Sequence, residues 1–217
     1  MERNLVVPQV ADDIALNAYK ILRTRLLQRM ASNQWFSLAV TATQPQQGKT
    51  LTAINLSVTL AQDPHTFVYL LDLDLRRPQV AATLGMSFDQ GLGEYLVGEV
   101  EADQVIYESG ISRLAVIPNV KPQPNSSELL TSRRMSDLVK LLVESVPRRI
   151  IVCDMPPMLY SDDVLAFAPQ VDGVLLVATE GATTRDALKT AKELLAEMNL
   201  IGVVLNRSTE RTDMDYY

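Results

Sequence analysis

Apolar positions in this chain fall into two kinds of segment. "WFSLAVTAT" (35–43), "TFVYLLDLD" (66–74), "RLAVIP" (113–118), "RRIIVCD" (148–154), "GVLLVAT" (173–179) and "LIGVVLN" (200–206) are short, nearly uninterrupted apolar runs. Runs of that length, bounded by turn residues, predict strands buried on both faces. Between them the spacing turns helical. A helix is expected from Asp12 or Asp13 as cap to about Met30, with Ile14, Ala18, Ile21, Leu22 and Leu26 on one face. Further helices are expected over 50–62, stopped at Asp63-Pro64, in a short piece ending at Gly85, and in one long piece over 126–146. A short one is expected over 162–170 and a last one over 183–198, while 86–111 reads as turns and short helices. Strand–helix alternation of this kind predicts an α/β fold, three layers α/β/α around a mostly parallel central sheet. Residues 1–206 read as a single domain, opened by an extended arm and helix over 1–30, and 207–217 as a mobile tail. Parallel sheets bind ligands beyond the carboxyl ends of their strands, so the loops after the strands carry the interest.

Three of those loops are chemically distinctive. "TATQPQQGKT" (41–50) follows the first strand and opens a helix. It ends like the phosphate-binding pattern G-x-x-x-x-G-K-[ST], with Thr43 where the pattern has glycine. Backbone N–H groups of Gln46, Gln47, Gly48, Lys49, Thr50 and Leu51 can cradle phosphates at the helix N-terminus. Lys49 reaches the outer phosphates and the Thr50 hydroxyl is a Mg²⁺ ligand. Thr43 is tolerable where its backbone avoids positive φ. "YLLDLDLRRP" ends the second strand in Asp72 and Asp74, two residues apart and so on one face. "RRIIVCDMPP" ends another in Asp154, suited to supporting the waters around Mg²⁺ or to orienting a water. A lysine loop with two acidic strand ends is a phosphate–magnesium constellation.

Composition narrows the partners. Twenty basic residues face 26 acidic ones, and the net charge of −6 argues against general nucleic-acid binding. No apolar run nears the roughly 20 residues of a membrane helix, and the N-terminus lacks an apolar signal region. Any membrane role is therefore expected to run through a partner rather than direct insertion. Cys153 is the single cysteine, which fits a reducing cytoplasm and a place in the core. His65, the single histidine, excludes multi-histidine metal sites and belongs in a turn. Trp35 and Phe36 are expected to pack the first helix on the sheet, and Arg133 and Arg134 to be solvated.

"GKT", "LLDLDLRRP" and "IIVCDMPP" together resemble the bacterial tyrosine kinases of the polysaccharide-export type, which have a P-loop NTPase fold. "NAYKILRTRL", "PNSSELLTSRRM" and "GVVLN" resemble that family's helix signature, N-P-S-E-L-L segment and last strand. The nearest sub-group is the stand-alone cytoplasmic kinases. The resemblance implies an ATP- and Mg²⁺-dependent autokinase that phosphorylates tyrosines in a neighbour's tail and regulates capsular or exopolysaccharide synthesis and export. It implies phosphate and metal roles for Lys49 and Thr50, with magnesium contact and the general base shared between Asp72 and Asp74. Asp154 completes the metal site, Arg76 stabilises the transferring phosphate or holds its loop, and Asn206 and Arg207 are candidates for adenine contact. An activating partner is implied, the cytoplasmic tail of a membrane chain-length-determinant protein, which would recruit the kinase to the inner face of the membrane. A homo-oligomer is left open. The family's helix signature E-x-x-R-x-x-R is here Asn17, Lys20 and Arg23, and lysine does not replace a bidentate guanidinium. The family loop P-G-E-G-K is here Pro45-Gln46-Gln47-Gly48-Lys49.

The chain ends "DMDYY", and Tyr216 and Tyr217 are candidate phosphoacceptors: a tyrosine hydroxyl there can attack a γ-phosphate in line. Two alternatives share the motifs. A partitioning ATPase of the Min and Par kind would carry a lysine early in the loop, where this chain has Thr43-Gln44-Pro45. A nucleotide-switched, non-catalytic adaptor of a polysaccharide export complex would bind nucleotide without transfer.

Overall fold

The computed structural model describes residues 13–209. The arm, the Asp12 cap and the tail tyrosines Tyr216 and Tyr217 lie outside the described residues. In chain order the elements are α1 (Asp13–Asn33), β1 (Ser37–Ala42), α2 (Lys49–Ala61), β2 (Phe67–Asp72), α3 (Val80–Leu84), α4 (Leu92–Leu96), β3 (Tyr107–Glu108) and β4 (Leu114–Ile117). There follow α5 (Ser126–Leu130), α6 (Arg133–Ser145), β5 (Arg149–Asp154), α7 (Asp163–Phe167), β6 (Gly173–Thr179), α8 (Arg185–Leu194) and β7 (Leu200–Asn206).

Seven strands form one sheet in the order β3-β4-β2-β5-β1-β6-β7, parallel except for the antiparallel edge β3. The expected α/β sandwich is therefore present. β1, β2, β4, β5 and β6 are buried along almost their whole length, which is why they read as unbroken apolar runs. Alternate residues feed two cores. Leu38, Val40, Val68, Leu70, Val152 and Val177 face α1 and α2. Tyr69, Leu71, Ile117, Ile151 and Leu176 face the helices from α4 to α8. β7 differs: as an edge strand it leaves Val203 and Leu205 more than half exposed, so its apolar run is not matched by burial on both faces.

Three expectations need correction. The helix over 126–146 is two helices. Ser132 takes an extended conformation (φ −68°, ψ 158°) and its hydroxyl accepts from the Met135 N–H, starting α6 afresh. We expect Ser132→Ala to lower stability by about 1 kcal/mol in denaturant melts, because it orphans that cap. Along α1, Ile14, Ala18 and Ile21 are exposed, since the helix meets α2 through its second half, at Leu26 and Met30. Arg134 is not solvated: its guanidinium lies 4.4 Å over the Tyr95 ring and donates to the Tyr95 and Val100 carbonyls. Trp35 does pack with the α1 core, His65 lies in a turn, and Cys153 is buried, which pushes its thiol pKa far up.

Candidate active site

The strand order puts β2, β5 and β1 side by side, so their carboxyl ends meet. Asp72 pairs in register with Asp154, and Asp154 with Val40, just before the phosphate-loop segment. The Leu73 N–H donates to the Asp154 carbonyl and the Met155 N–H to the Val40 carbonyl, holding the three exits together. Lys49, the first residue of α2, reaches across them. Its Nζ lies 2.8 Å from Asp74 Oδ2 and 3.6 Å from Asp154 Oδ1, with the Thr50 hydroxyl at 3.3 Å. Burial by itself lowers the Lys49 pKa; Asp154 and Asp74 more than reverse this and hold it above its ordinary value. The ammonium is thus firmly charged.

The acids have separate surroundings. Asp74 Oδ1 accepts the Arg77 N–H. Asp72 Oδ2 accepts the N–H groups of Gln79 and Val80, so this carboxylate also caps α3, while its Oδ1 has no hydrogen-bond partner. Burial, then Asp154, raises the Asp72 pKa well above the carboxylate range. Burial also raises that of Asp154, against the pull of Lys49 and Thr50. Neither Asp154 oxygen makes a hydrogen bond of ordinary geometry, although Lys49 and the Thr50 hydroxyl stand by. Bare buried carboxylate oxygens beside a hydroxyl fit a hard divalent cation. Among the described residues no three acidic, histidine or cysteine side chains converge into a ready cage. Mg²⁺ commonly takes one or two carboxylates and completes its shell with substrate phosphates and waters, so the site suits a metal that arrives with its nucleotide.

The loop explains its own departures. Thr43 has no positive φ; the left-handed residues are Gln46 (φ 62°) and Gly48 (φ 87°). Gln47 folds its side chain back: Oε1 accepts from the Thr43 hydroxyl and the Gln44 N–H, both at 3.0 Å. Its Nε2 donates to Thr183 after β6, at 2.7 Å. Thr43 therefore supplies a donor to Gln47 that a glycine would not. The Gln47 carbonyl accepts from Thr179 Oγ1 and Asn206 Nδ2. Asn206 consequently sits against the loop backbone, and a Cβ on Gly48 would collide with its amide. Arg207 donates to the Gln46 carbonyl at 3.3 Å. The first turn of α2 carries no side-chain cap, which leaves the N-terminus of Lys49, Thr50 and Leu51 for a ligand. Gln46 is a side chain held in a conformation that glycine adopts freely. We expect Gln46→Gly to raise stability by up to about 1 kcal/mol with nucleotide affinity within about twofold, read by thermal melts and titration.

Thr179 and Thr183 were not foreseen. Their signal was present in kind, because they follow β6 as the acids follow β2 and β5. Arg76 is displaced from Lys49's cluster toward α5 and α7: its Nε donates to Ser126 Oγ at 2.7 Å, and its terminal nitrogen is 3.9 Å from Asp162. Arg23 of the expected helix signature turns inward to the Thr59 carbonyl of α2, while Asn17 and Lys20 are exposed.

This chain matches the kinase domain of the Escherichia coli tyrosine kinase ETK at 31% identity, over 94% of its own length and 81% of that domain, with a TM-score of 0.84. The chain belongs to the bacterial tyrosine kinases. Tyrosine-protein kinase YwqD of Bacillus subtilis is 28% identical over 221 residues, spanning all of this chain and 92% of that kinase. Tyrosine-protein kinase etk of Escherichia coli K12 is 32% identical over 206 residues, and this chain spans only 28% of its length. The septum site-determining protein MinD of Pyrococcus horikoshii aligns at 20% identity over 82% of this chain and 72% of its own, with a TM-score of 0.67, a likeness of fold alone. No protein-family model matches the chain. Among the described residues of this bacterial tyrosine kinase, no helix is long and apolar enough to cross a membrane.

Proposed function

We propose that this bacterial tyrosine kinase transfers the γ-phosphoryl group of Mg-ATP to tyrosines in the tail of a neighbouring copy, with Tyr216 and Tyr217 as acceptors. The observation that carries this is the buried contact of Lys49 with Asp74 and Asp154 where β1, β2 and β5 end. In the free protein those carboxylates hold the cation that phosphates would take. On nucleotide binding Lys49 turns from Asp74 to the β- and γ-oxygens, and the N–H groups of Gln46 to Leu51 cradle the phosphates. That same movement frees Asp74. Asp72 and Asp74 divide metal contact and acceptance of the tyrosine proton between them. Thr50 and Asp154 complete the oxygen set for Mg²⁺, which when bound neutralises charge on the β- and γ-oxygens. Arg76 serves the transferring group, and Asn206 and Arg207 border the base pocket.

We further propose that the chain acts in capsular or exopolysaccharide production, switched on by the cytoplasmic tail of a membrane partner that recruits it. Residues 1–206 would then be the catalytic unit and 207–217 its substrate segment.

The test incubates the full chain with Mg-ATP, with and without such a partner tail. Mass spectrometry of the C-terminal peptide should show phosphate on Tyr216 and Tyr217, absent from Lys49→Met and from a tail deletion. ATP hydrolysis with no phosphotyrosine under any condition would sink the reading and favour a partitioning-type ATPase.

A further inference from the structure

Three loops beyond the strand ends are tied by one buried chain of hydrogen bonds. Arg76 follows β2, Ser126 opens α5 after β4, and Asp163 opens α7 after β5. Ser126 and Asp163 are both fully buried. Arg76 Nε–H donates to Ser126 Oγ at 2.7 Å, and that oxygen lies 2.8 and 3.0 Å from the two carboxylate oxygens of Asp163. A hydroxyl has one proton. Since Nε–H can only donate, the Ser126 proton points to Asp163, and the chain runs Arg76 to Ser126 to Asp163. Among the described residues no other donor meets the Asp163 carboxylate. A buried carboxylate with one hydroxyl for company is poorly stabilised unless a cation stands close, and Arg76 is one hydroxyl away.

The guanidinium is used in a particular way. Its Nε–H is spent on Ser126, and among the described residues neither terminal nitrogen makes a hydrogen bond, which leaves free the edge that meets an anion bidentately. Among the described residues the acid at that edge is Asp162, at 3.9 Å and itself well exposed, a weak contact that a phosphate can displace. The backbone before Arg76 is pinned as well: the Leu75 carbonyl accepts from Gln123 N–H at 2.8 Å and from Asn119 Nδ2 at 3.1 Å.

We propose that Ser126 and Asp163 are positioning residues that aim the Arg76 guanidinium at the transferring phosphoryl group. The inference rests on the kinase reading of the site. Misplacement by about an ångström of a group that meets the transition state can lose on the order of 100-fold in rate. Ser126 and Asp163 touch no reacting atom; they act through Arg76.

The experiment is a kinetic double-mutant cycle on the full chain with its activator, reading kcat and KM for Mg-ATP. Ser126→Ala should lower kcat about 10- to 100-fold and shift KM by less than about threefold. In an Arg76→Ala background the same change should do almost nothing, because its target is gone. Asp163→Asn, which keeps the shape, should give a smaller loss of about tenfold and is the substitute if Ser126→Ala does not fold. Ser126→Thr keeps the hydroxyl and should restore most of the rate. Equal losses from Ser126→Ala with and without Arg76, or no loss at all, would overturn the proposal. A wild-type chain that makes no phosphotyrosine would instead overturn the kinase reading, and the cycle run on ATP hydrolysis would still decide whether Arg76 is positioned this way.

Discussion

Lys49→Met should abolish tail phosphorylation and also lower the stability of the ligand-free protein, by about 3 kcal/mol at pH 8. The first loss follows from chemistry, since no other cation of the loop reaches the phosphates. The second follows from where the ammonium sits. It is the charge partner of Asp74 at 2.8 Å and of Asp154 at 3.6 Å, in a site where Asp154 and Asp72 are fully buried. Removing one member of a buried pair leaves the other charged and uncompensated, which is far worse than removing both. The pH dependence has a definite sign. The folded pKa values of Asp72 and Asp154 stand above the ordinary carboxylate value, with burial the leading cause. An acid raised in this way destabilises the fold as pH climbs from its unfolded value, about 4, through its folded one. Without Lys49 those folded values rise further. The variant's deficit should therefore be smaller at pH 5 than at pH 8, as urea melts at the two pH values can measure. A deficit that is absent, or equal at both, would mean that Lys49 does not neutralise these acids in the free protein. The consequence for experiment is practical: a lysine variant used as a kinase-dead control needs its fold checked before its inactivity is interpreted.

The parts of this site that could be read from the chain are those whose chemistry requires particular residues at particular local positions. Lys49 and Thr50 must open a helix, and Asp72, Asp74 and Asp154 must end strands, so apolar runs ending in acid pointed to the place. The sheet order then made the prediction geometric by setting β2, β5 and β1 in adjacent places. What could not be read depends on contacts between distant segments. Gln47 reaches Thr183 across 136 positions and turns Thr43 from a departure into a partner. The break between α5 and α6 hangs on Ser132, a residue type as common on helix surfaces as at caps. Arg134 reads as solvent-facing until Tyr95 is seen beneath it. The apolar spacing at the start of α1 suggested burial, yet no described element covers Ile14 or Ile21 fully. Spacing gives a face its character and says nothing about what meets it.

Asp72→Asn should lower phosphorylation at least about 100-fold while raising the stability of the ligand-free protein by about 1 kcal/mol. The two effects have one origin. Burial and the neighbouring Asp154 both oppose ionisation of Asp72, and one of its oxygens has no partner. An asparagine keeps an oxygen for the Gln79 and Val80 N–H groups, so the α3 cap survives. The substitution removes a like charge and lays an amide N–H₂ where the bare oxygen faced the field of Asp154. Burying a neutral, partly satisfied group is less unfavourable than burying an unpaired charge. On the proposed function, Asp72 shares metal contact and acceptance of the tyrosine proton with Asp74, so removing its bare oxygen should strip the site of that chemistry. Stabilisation by a ligand grows with affinity for the folded state, and Mg-nucleotide should therefore raise the melting temperature of the wild type more than that of the variant. The order of stability should reverse between ligand-free and Mg-ADP-saturated samples. If Asp72→Asn melts below the wild type without ligand, Asp72 contributes more as a helix cap than it loses as a buried charge, and the acidic strand end must be regarded as structural in the free protein.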